Sequence, residues 1–436
     1  MARFTDLNED VLRLILGHIH FCQRTFYALT LTCKSISELA TEFLYYKIDV
    51  SCRHPGFTNR FEILLRTLTQ PDQRRRCQLL SYIRELSIPH CVDHDGRREP
   101  ATTRLLNSIE QTHAPGLSTS NFPRLRSAHV IDDVAIEDLA RLLYSTPIET
   151  VRIGNSYDRN LRTLRNLRNR RHLRKAPPPT VSLSNLPHRQ DPLASLSIHT
   201  HYPPATLREL LLISGGVKQL VLRELGTMTA SPFDPRVGAH LGIMSGIYSP
   251  AQFGHTLEPL RATLQSLDLT TPETLKWPGG HDGSRLDLRA FDRLRRVRAD
   301  SKCFFPHPSS NRKNNKEDIC PLLPVGIEAL ELCFDFMDSA ATVVGTGGAP
   351  EADDYQWIVD LVQGAPAWVP RLRNLKVKEE GVVSRVVCGV YVDAFREWDP
   401  PPHVKAILVE GNVAVQVTVK VLNKDGVEAR GRILEL

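Results

Sequence analysis

Apolar residues near the start of the chain recur at the spacing of an amphipathic helix. Within residues 7–19 they return every three or four positions, with polar residues between them. Asp6 stands where an N-cap would accept the first free backbone amides, and Glu9 suits the positive end of a helix dipole. Two further apolar series follow within 26–33 and 36–44. We predict three short helices, a unit too small to bury every apolar face.

A second pattern recurs along the rest of the chain: an apolar residue, two others, an apolar residue, one other and an apolar residue. The last two apolar positions alternate as in a short β-strand. Such strands are the repeating inner element of leucine-rich repeats. The nine instances are Ile83-Leu86-Ile88, Leu125-Ala128-Val130, Ile148-Val151-Ile153, Leu193-Leu196-Ile198, Val217-Leu220-Leu222, Leu264-Leu267-Leu269, Leu294-Val297-Ala299, Ile327-Leu330-Leu332 and Leu372-Leu375-Val377.

Helical segments are expected before several of these strands, as the outer layer of such a repeat requires. They are predicted at 72–81, 134–144, 205–213, 258–263 and 355–362. The sequence therefore predicts an α/β protein in which a three-helix module is followed by an irregular leucine-rich-repeat solenoid. A conventional α/β domain with a parallel sheet is the alternative.

The domain boundaries follow from these patterns. The helical module covers residues 1–50, and the repeats cover 51–379 with insertions at about 157–179, 226–253, 303–320 and 340–352. Residues 380–436 change to a β-rich texture. We expect that last segment to be a terminal cap, with a hairpin around Gly411 and Asn412.

The first helices resemble an F-box, the module that docks substrate receptors onto the Skp adaptor of cullin-based (SCF-type) ubiquitin ligases. Asn8 stands where that family usually has proline, and Ile36 lies near its usual tryptophan. A helical cap for the repeats is the alternative for this segment. The resemblance covers Phe4 to about Ile48 and rests on Leu7, Asp10, Val11, Leu12, Ile15, Leu16, Ile19, Cys33, Lys34, Leu39, Ala40, Leu44, Tyr45 and Ile48. It implies that the adaptor is bound by Leu7, Val11, Leu12, Ile15, Leu16, Ile19, Cys33 and Leu39.

Polar residues occupy the outward positions of the predicted strands. Strand alternation places them on one face of the sheet, the surface that repeat proteins use for a partner. For any single position, simple solvation is the alternative. The candidate target-binding residues are Ser87, His129, Arg152, Ser197, Arg223, Asp268, Arg298, Asp300, Glu331 and Lys376, with His199 at the same outward register.

Composition changes this picture little. The chain has 436 residues, 41% of them hydrophobic, and 55 basic residues nearly balance 49 acidic ones. This is typical of a soluble globular protein and does not by itself indicate nucleic acid. Nine cysteines without regular spacing favour reduced thiols, and neither an export signal nor an apolar run of membrane-spanning length is expected. We expect the cytoplasm or the nucleus.

One segment is strongly basic. Residues 157–179 hold eight arginines and lysines and end in three prolines. A partly disordered, solvated insertion is favoured over a nucleic-acid site, because the segment lacks aromatic residues after Tyr157 for base stacking. The cluster of His90, Cys91, Asp93 and His94 lacks a second ligand pair for zinc.

Neither resemblance requires a catalytic residue or a cofactor. An F-box protein with leucine-rich repeats is a substrate-recruiting subunit of a ubiquitin ligase. It would bind the adaptor, and through it a cullin scaffold, and hold an unknown protein target. The alternatives are a repeat scaffold outside any ligase and a nucleic-acid-associated protein that uses the arginine-rich insertion. An enzyme is the third alternative and the least supported, because no catalytic motif is present.

Overall fold

Three short helices open the described part of the chain, as the periodicity predicts. In the computed structural model they are α1 (Glu9–His18), α2 (Gln23–Thr30) and α3 (Lys34–Tyr46). Asn8 precedes α1, and its Oδ1 accepts a hydrogen bond from the backbone N–H of Asp10 at 3.0 Å. The structure describes residues 7–18, 23–49, 65–66, 72–88, 122–130, 139–140, 142–143, 146–154, 189–199, 204–223, 249–270, 282–305, 318–334, 356–379, 385–386, 389–390, 394–397, 405–406, 409–410 and 413–421.

Fourteen strands are described along the chain. They are β1 (Lys47–Asp49), β2 (Glu85–Ile88), β3 (Ser127–Val130), β4 (Thr150–Gly154), β5 (Leu193–His199), β6 (Val217–Leu222), β7 (Ser266–Leu269), β8 (Arg296–Asp300), β9 (Ala329–Phe334), β10 (Asn374–Glu379), β11 (Arg385–Val386), β12 (Gly389–Val390), β13 (Ala394–Glu397) and β14 (Ala414–Val421). Twelve form one sheet in the order β1 to β10, then β14 and β13. β11 and β12 pair with each other.

Four more helices lie between strands: α4 (Gln73–Tyr82), α5 (Pro204–Ile213), α6 (Pro250–Leu257) and α7 (Gln356–Trp368). Asp72 caps α4 by accepting a hydrogen bond from the N–H of Arg75 at 3.0 Å. The helix expected at 258–263 is wrong, because α6 precedes it and only Glu258–Leu260 is helical, as a 3-10 turn. The helices predicted near 72–81, 205–213 and 355–362 are confirmed.

The nine apolar triplets lie at strands β2 to β10, which confirms that part of the prediction. Every triplet residue whose side chain is described is buried. In register, Leu267 on β7 is opposite Val297 on β8, which is opposite Leu330 on β9, which is opposite Leu375 on β10. The triplets therefore form continuous apolar rows on one face of the sheet.

The predicted assembly of these strands into a leucine-rich-repeat solenoid, with a separate F-box-like helical module and a β-rich cap, is wrong. Eleven strands of the sheet are parallel, and the described residues add seven helices, which is an α/β fold with a parallel sheet. β1 follows α3 directly and pairs with β2, and β14 extends the sheet beside β10. Apolar alternation specifies a strand that is buried on one face, as the burial patterns of β3, β4 and β7 show. It does not specify how such strands and the helices between them assemble.

The hairpin expected around Gly411 is also wrong. Ala406 and Val409 are helical, and β14 pairs parallel with β10 and antiparallel with β13.

The chain divides into two compact units, residues 1–196 with 213–215, and residues 197–212 with 216–436. The boundaries predicted near residues 50 and 380 stay predictions.

Candidate functional site

The three N-terminal helices share one small core. Leu12 and Leu16 of α1 pack with Phe26 of α2 and with Leu39 and Ala40 of α3. The rings of Phe26 and Phe43 stack with their centroids 5.6 Å apart. Leu12, Leu16 and Leu39, three of the residues expected to bind an adaptor, therefore hold the helices together and are closed to a partner in this conformation.

The opposite stripe of α1 is exposed. Val11 and Leu14 are three residues apart, which places them on one side of the helix, and 65% of Leu14 is accessible to solvent. Leu7, two residues before α1, is also exposed. Tyr27 of α2 and Leu31, just after α2, are also exposed. These five are most of the nine large hydrophobic residues that are exposed in the described part of the chain. The other four are scattered between Leu212 and Val409.

The other residues predicted to bind the adaptor differ in how far they are exposed. Ile15 and Cys33 are half-buried, and Ile19 lies outside the described residues. Cys33 precedes the first turn of α3, where a hydrogen bond from the backbone of Ile36 and a contact with the Ser35 hydroxyl lower the pKa of its thiol. Of the predicted contacts, Leu7 and Val11 are the ones that are exposed, at 37% and 42%.

Arg13 fixes α1 against α3. Its Nη1 donates a hydrogen bond to Glu42 of α3 at 2.6 Å, and its Nη2 pairs with Glu9 at 2.9 Å. Both carboxylates raise the pKa of Arg13, Glu42 more than Glu9. This charged contact, together with the apolar core, therefore fixes α1 in the orientation that leaves its outer stripe exposed.

The polar residues predicted on the strands do align into rows. In the first unit, Ser87 on β2 is opposite His129 on β3, which is opposite Arg152 on β4. In the second unit, Asp268, Arg298, Glu331 and Lys376 follow one another across β7 to β10. The alternation of the strands therefore places these candidates on the face opposite the apolar rows.

The row in the second unit is a chain of ion pairs with alternating charge. Arg223 donates to Asp268 at 2.9 Å and to the hydroxyl of Thr270 at 2.8 Å. Arg298 lies 3.7 Å from Asp268 and 3.2 Å from Glu331. Burial opposes the charge of Arg298, but contacts with Cys333, Glu331 and Asp268 raise its pKa above its usual value. The side chains of this row are therefore pre-ordered by one another.

Asp300 departs from the prediction. It shares the face of Arg298, yet only 9% of it is exposed. The chain turns directly after Asp300 into the 3-10 helix Ser301–Cys303, whose three residues are buried as well. Asp300 is therefore not available to a partner.

Ser197 donates or accepts a 2.8 Å hydrogen bond with Nε2 of His199 on the same strand.

Several residues of these surfaces were missed from the sequence. Leu14 continues the spacing of Leu7 and Val11, so its exposure could have been inferred from the helix period. Thr270 lies two residues beyond Asp268, on the same side of the strand. Nothing local identifies Tyr27 and Leu31 as exposed, because they alternate with core residues of the same helical series.

Other candidate chemistry finds no support in the described residues. Among them no group of three or more His, Cys, Asp or Glu side chains could hold a metal ion. In the same part of the chain, no helix is long and apolar enough to cross a membrane. The cluster at His90–His94 and the basic insertion 157–179 lie outside the described residues.

Comparison with known proteins adds no relative. No protein-family model matches the chain, and the curated proteins include no significant match to it.

Proposed function

We propose that this chain is a non-enzymatic substrate-recognition subunit of a cullin-based ubiquitin ligase. It binds a Skp-type adaptor through α1 to α3 and a protein target on the polar face of its sheet. The observation that carries the proposal is the concentration of exposed apolar side chains on the first helices. The resemblance of residues 4–48 to an F-box supports the same partner.

Exposed apolar stripes of this kind favour association. The buried core of α1 to α3 is formed by residues other than Leu7, Val11 and Leu14, and these three remain exposed to solvent. An apolar stripe on one helix side is suited to a partner's groove, because burying it removes apolar surface from water. The adaptor contact is therefore assigned to the outer stripe rather than to Leu12 and Leu16.

The mechanism is proximity. A receptor that holds a target beside a separate conjugating enzyme raises the effective concentration of the target's lysines. Such a receptor needs two binding surfaces and no catalytic residue. The cytoplasm or the nucleus is the proposed compartment, consistent with five cysteines that are free thiols in the described part of the chain.

Target binding is assigned to the row from Arg223 to Lys376. Its ion pairs already order the side chains, so binding costs less conformational entropy than it would on a mobile segment. Alternating charges also discriminate between partners, since a mismatched charge meets a like charge. Lys376 is half-buried beside Glu331 and has no ion pair among the described residues, which leaves it available to a carboxylate of the target.

The adaptor contact is tested by replacing both Val11 and Leu14 with aspartate. We expect the variant to lose co-purification with a Skp-type adaptor by at least about tenfold, because two carboxylates would be buried in an apolar interface. The fold should survive, since both side chains are exposed; Leu12→Asp would instead break the core. The control is Leu212→Asp combined with Val409→Asp, which places two carboxylates on other exposed apolar sites.

Two results would count against the ligase. One is a wild-type chain that does not bind a purified Skp-type adaptor, which would favour an interaction scaffold outside any ligase. The other is a Val11→Asp, Leu14→Asp variant that binds the adaptor as well as the wild type. Circular dichroism of each variant separates loss of contact from loss of fold.

The target surface is tested by Lys376→Glu. We expect proteins captured by the wild-type chain to be lost by the variant, because the new carboxylate faces Glu331 and repels an acidic group of the target. Quantitative mass spectrometry of co-purified proteins is the measurement. The adaptor should be retained, and deletion of residues 157–179 should leave capture intact. If only the deletion of residues 157–179 abolished target capture, the basic insertion would be the recognition surface.

A further inference from the structure

We propose that the amino-terminal edge of β8 to β10 binds an acidic protein segment. This site shares no residue with α1 to α3 or with the ion-paired row, and it does not depend on the proposed ligase function. Parallel strands begin at the same edge of a sheet. Here the one residue just before each of the three strands is joined to its neighbour by a backbone hydrogen bond. Glu328 N–H donates to Arg295 at 2.8 Å, and Arg373 N–H donates to Glu328 at 3.0 Å.

Each of these three strands is preceded by an equivalent tight turn. Backbone hydrogen bonds of 3.0, 3.1 and 2.9 Å close the turns at Phe291–Leu294, Pro324–Ile327 and Val369–Leu372. The final residue of each turn is buried, which fixes the turn on the sheet. Arg293 and Arg371 occupy the same third position of the first and last turns, and both are exposed.

The middle turn has Gly326 at this position, and Arg295, the residue just before β8, fills the space. Nη1 of Arg295 donates a hydrogen bond to the Gly326 carbonyl at 2.8 Å. A Cβ atom at Gly326 would overlap this Nη1. The edge therefore carries Arg293 and Arg371 on the two outer turns and the Arg295 guanidinium at the middle turn. Neighbouring turns follow the strand spacing of roughly 4.8 Å.

The charge of this edge is not balanced locally. The three segments contain only two acidic residues, Asp292 and Glu328, against five arginines. The arginines are Arg293, Arg295, Arg296, Arg371 and Arg373. Of the five arginines, Arg295 is the one with an ion pair among the described residues, at 3.7 Å from Glu328. The surplus of positive charge is thus exposed and available to an anionic partner.

Two exposed apolar residues accompany the arginines. Val325, in the middle turn, is 66% exposed, and Trp368, one residue before the last turn, is 51% exposed. An amphipathic tryptophan beside free arginines is the composition of protein-binding hot spots. The occupant must therefore offer apolar contact as well as negative charge.

A protein segment fits this edge better than a nucleic acid does. Glu328 and Asp292 lie among the arginines and would repel a continuous phosphate backbone. Trp368 is the one exposed aromatic residue in the three segments, so successive bases would find no series of stacking partners. The carboxylates of a peptide can instead contact the arginines one by one, without any carboxylate lying next to Glu328 or Asp292.

The spacing gives the pattern of the segment. The turns that hold Arg293 and Arg371 are two strand spacings apart, about 10 Å, which an extended peptide covers in about three residues. Two carboxylates three positions apart, with an apolar residue between them, would reach both arginines and contact Val325 or Trp368.

The test measures fluorescence anisotropy of a labelled peptide of repeating Glu-Leu-Gly-Glu units with the full chain. The wild type should bind it, and the matched Gln-Leu-Gly-Gln peptide should not bind. Arg293→Ala combined with Arg371→Ala should weaken binding roughly tenfold. Gly326→Ala should weaken it as well, because the new methyl group displaces the Arg295 guanidinium without changing the net charge. Arg208→Ala on α5 removes one charge elsewhere and should leave binding unchanged.

Three outcomes overturn the proposal. They are a wild-type chain that does not bind the acidic peptide, a double variant that binds it as well as the wild type, and tighter binding of a labelled oligothymidylate that depends on the same arginines. The last outcome would assign the edge to single-stranded nucleic acid. Adaptor co-purification should be normal in all these variants, so failure here is distinguishable from failure of the ligase proposal.

Discussion

Replacing Phe334 with alanine should lower the free energy of unfolding by about 3 to 5 kcal/mol. Phe334 ends β9 and is fully buried. Its ring lies 6.1 Å from that of Phe305 and 5.9 Å from that of Trp357, and Phe305 meets Trp357 edge to face at 5.2 Å. Removing the ring leaves a cavity between two large side chains that are themselves anchored, so the site cannot collapse to fill it.

Urea titration followed by circular dichroism measures this loss. Phe334→Leu should cost less than Phe334→Ala, because leucine fills part of the cavity. Trp368→Ala is the control: it also removes an aromatic ring, but a half-exposed one at the end of α7, and should cost much less. Equal losses for Phe334→Ala and Trp368→Ala would show that the ring cluster is not a stabilising core.

Replacing Leu330 with alanine should cost about 2 to 5 kcal/mol. Leu330 is the central residue of its triplet on β9, only 1% exposed, and lies in register between Val297 and Leu375. Strands on both sides hold the backbone of β9 by parallel hydrogen bonding, so the cavity left by the side chain remains open.

Val325→Ala is the matched control for Leu330→Ala. It shortens an aliphatic side chain in the turn just before the same strand, where the side chain is largely exposed. Its effect should stay within about 0.5 kcal/mol. Similar losses at both positions would mean that the apolar row of β7 to β10 does not form the core.

Part of the proposed site was predictable because it depends on local alternation. The outward positions Asp268, Arg298 and Glu331 follow from the apolar residues on either side of each, since a strand's side chains alternate between its two faces. Their pairing with one another was not predictable. It requires that β7, β8 and β9 lie side by side in one register, and these strands are separated by long stretches of chain.

The same distinction applies to the helices. The helical period of α1 is local, and it correctly predicts an apolar side and a polar side. Which apolar residues remain exposed depends on α2 and α3, because Phe26, Leu39 and Ala40 cover Leu12 and Leu16 and leave Leu14 open. A rotation of α1 by a fraction of a turn would exchange the two sets without changing the sequence pattern.

The strands β2 to β10 and most of the helices could be located from the amino-acid sequence, because the apolar periods of strands and helices are properties of neighbouring residues. That these strands build one parallel sheet with β1 and β14, rather than a solenoid with a separate module and cap, became apparent from the three-dimensional structure. It also decided that Asp300 is covered while Arg293, Arg295 and Arg371 meet at one edge. These outcomes depend on which distant segments lie side by side, and the free energy of that choice comes from long-range packing and hydrogen bonding that no local pattern encodes.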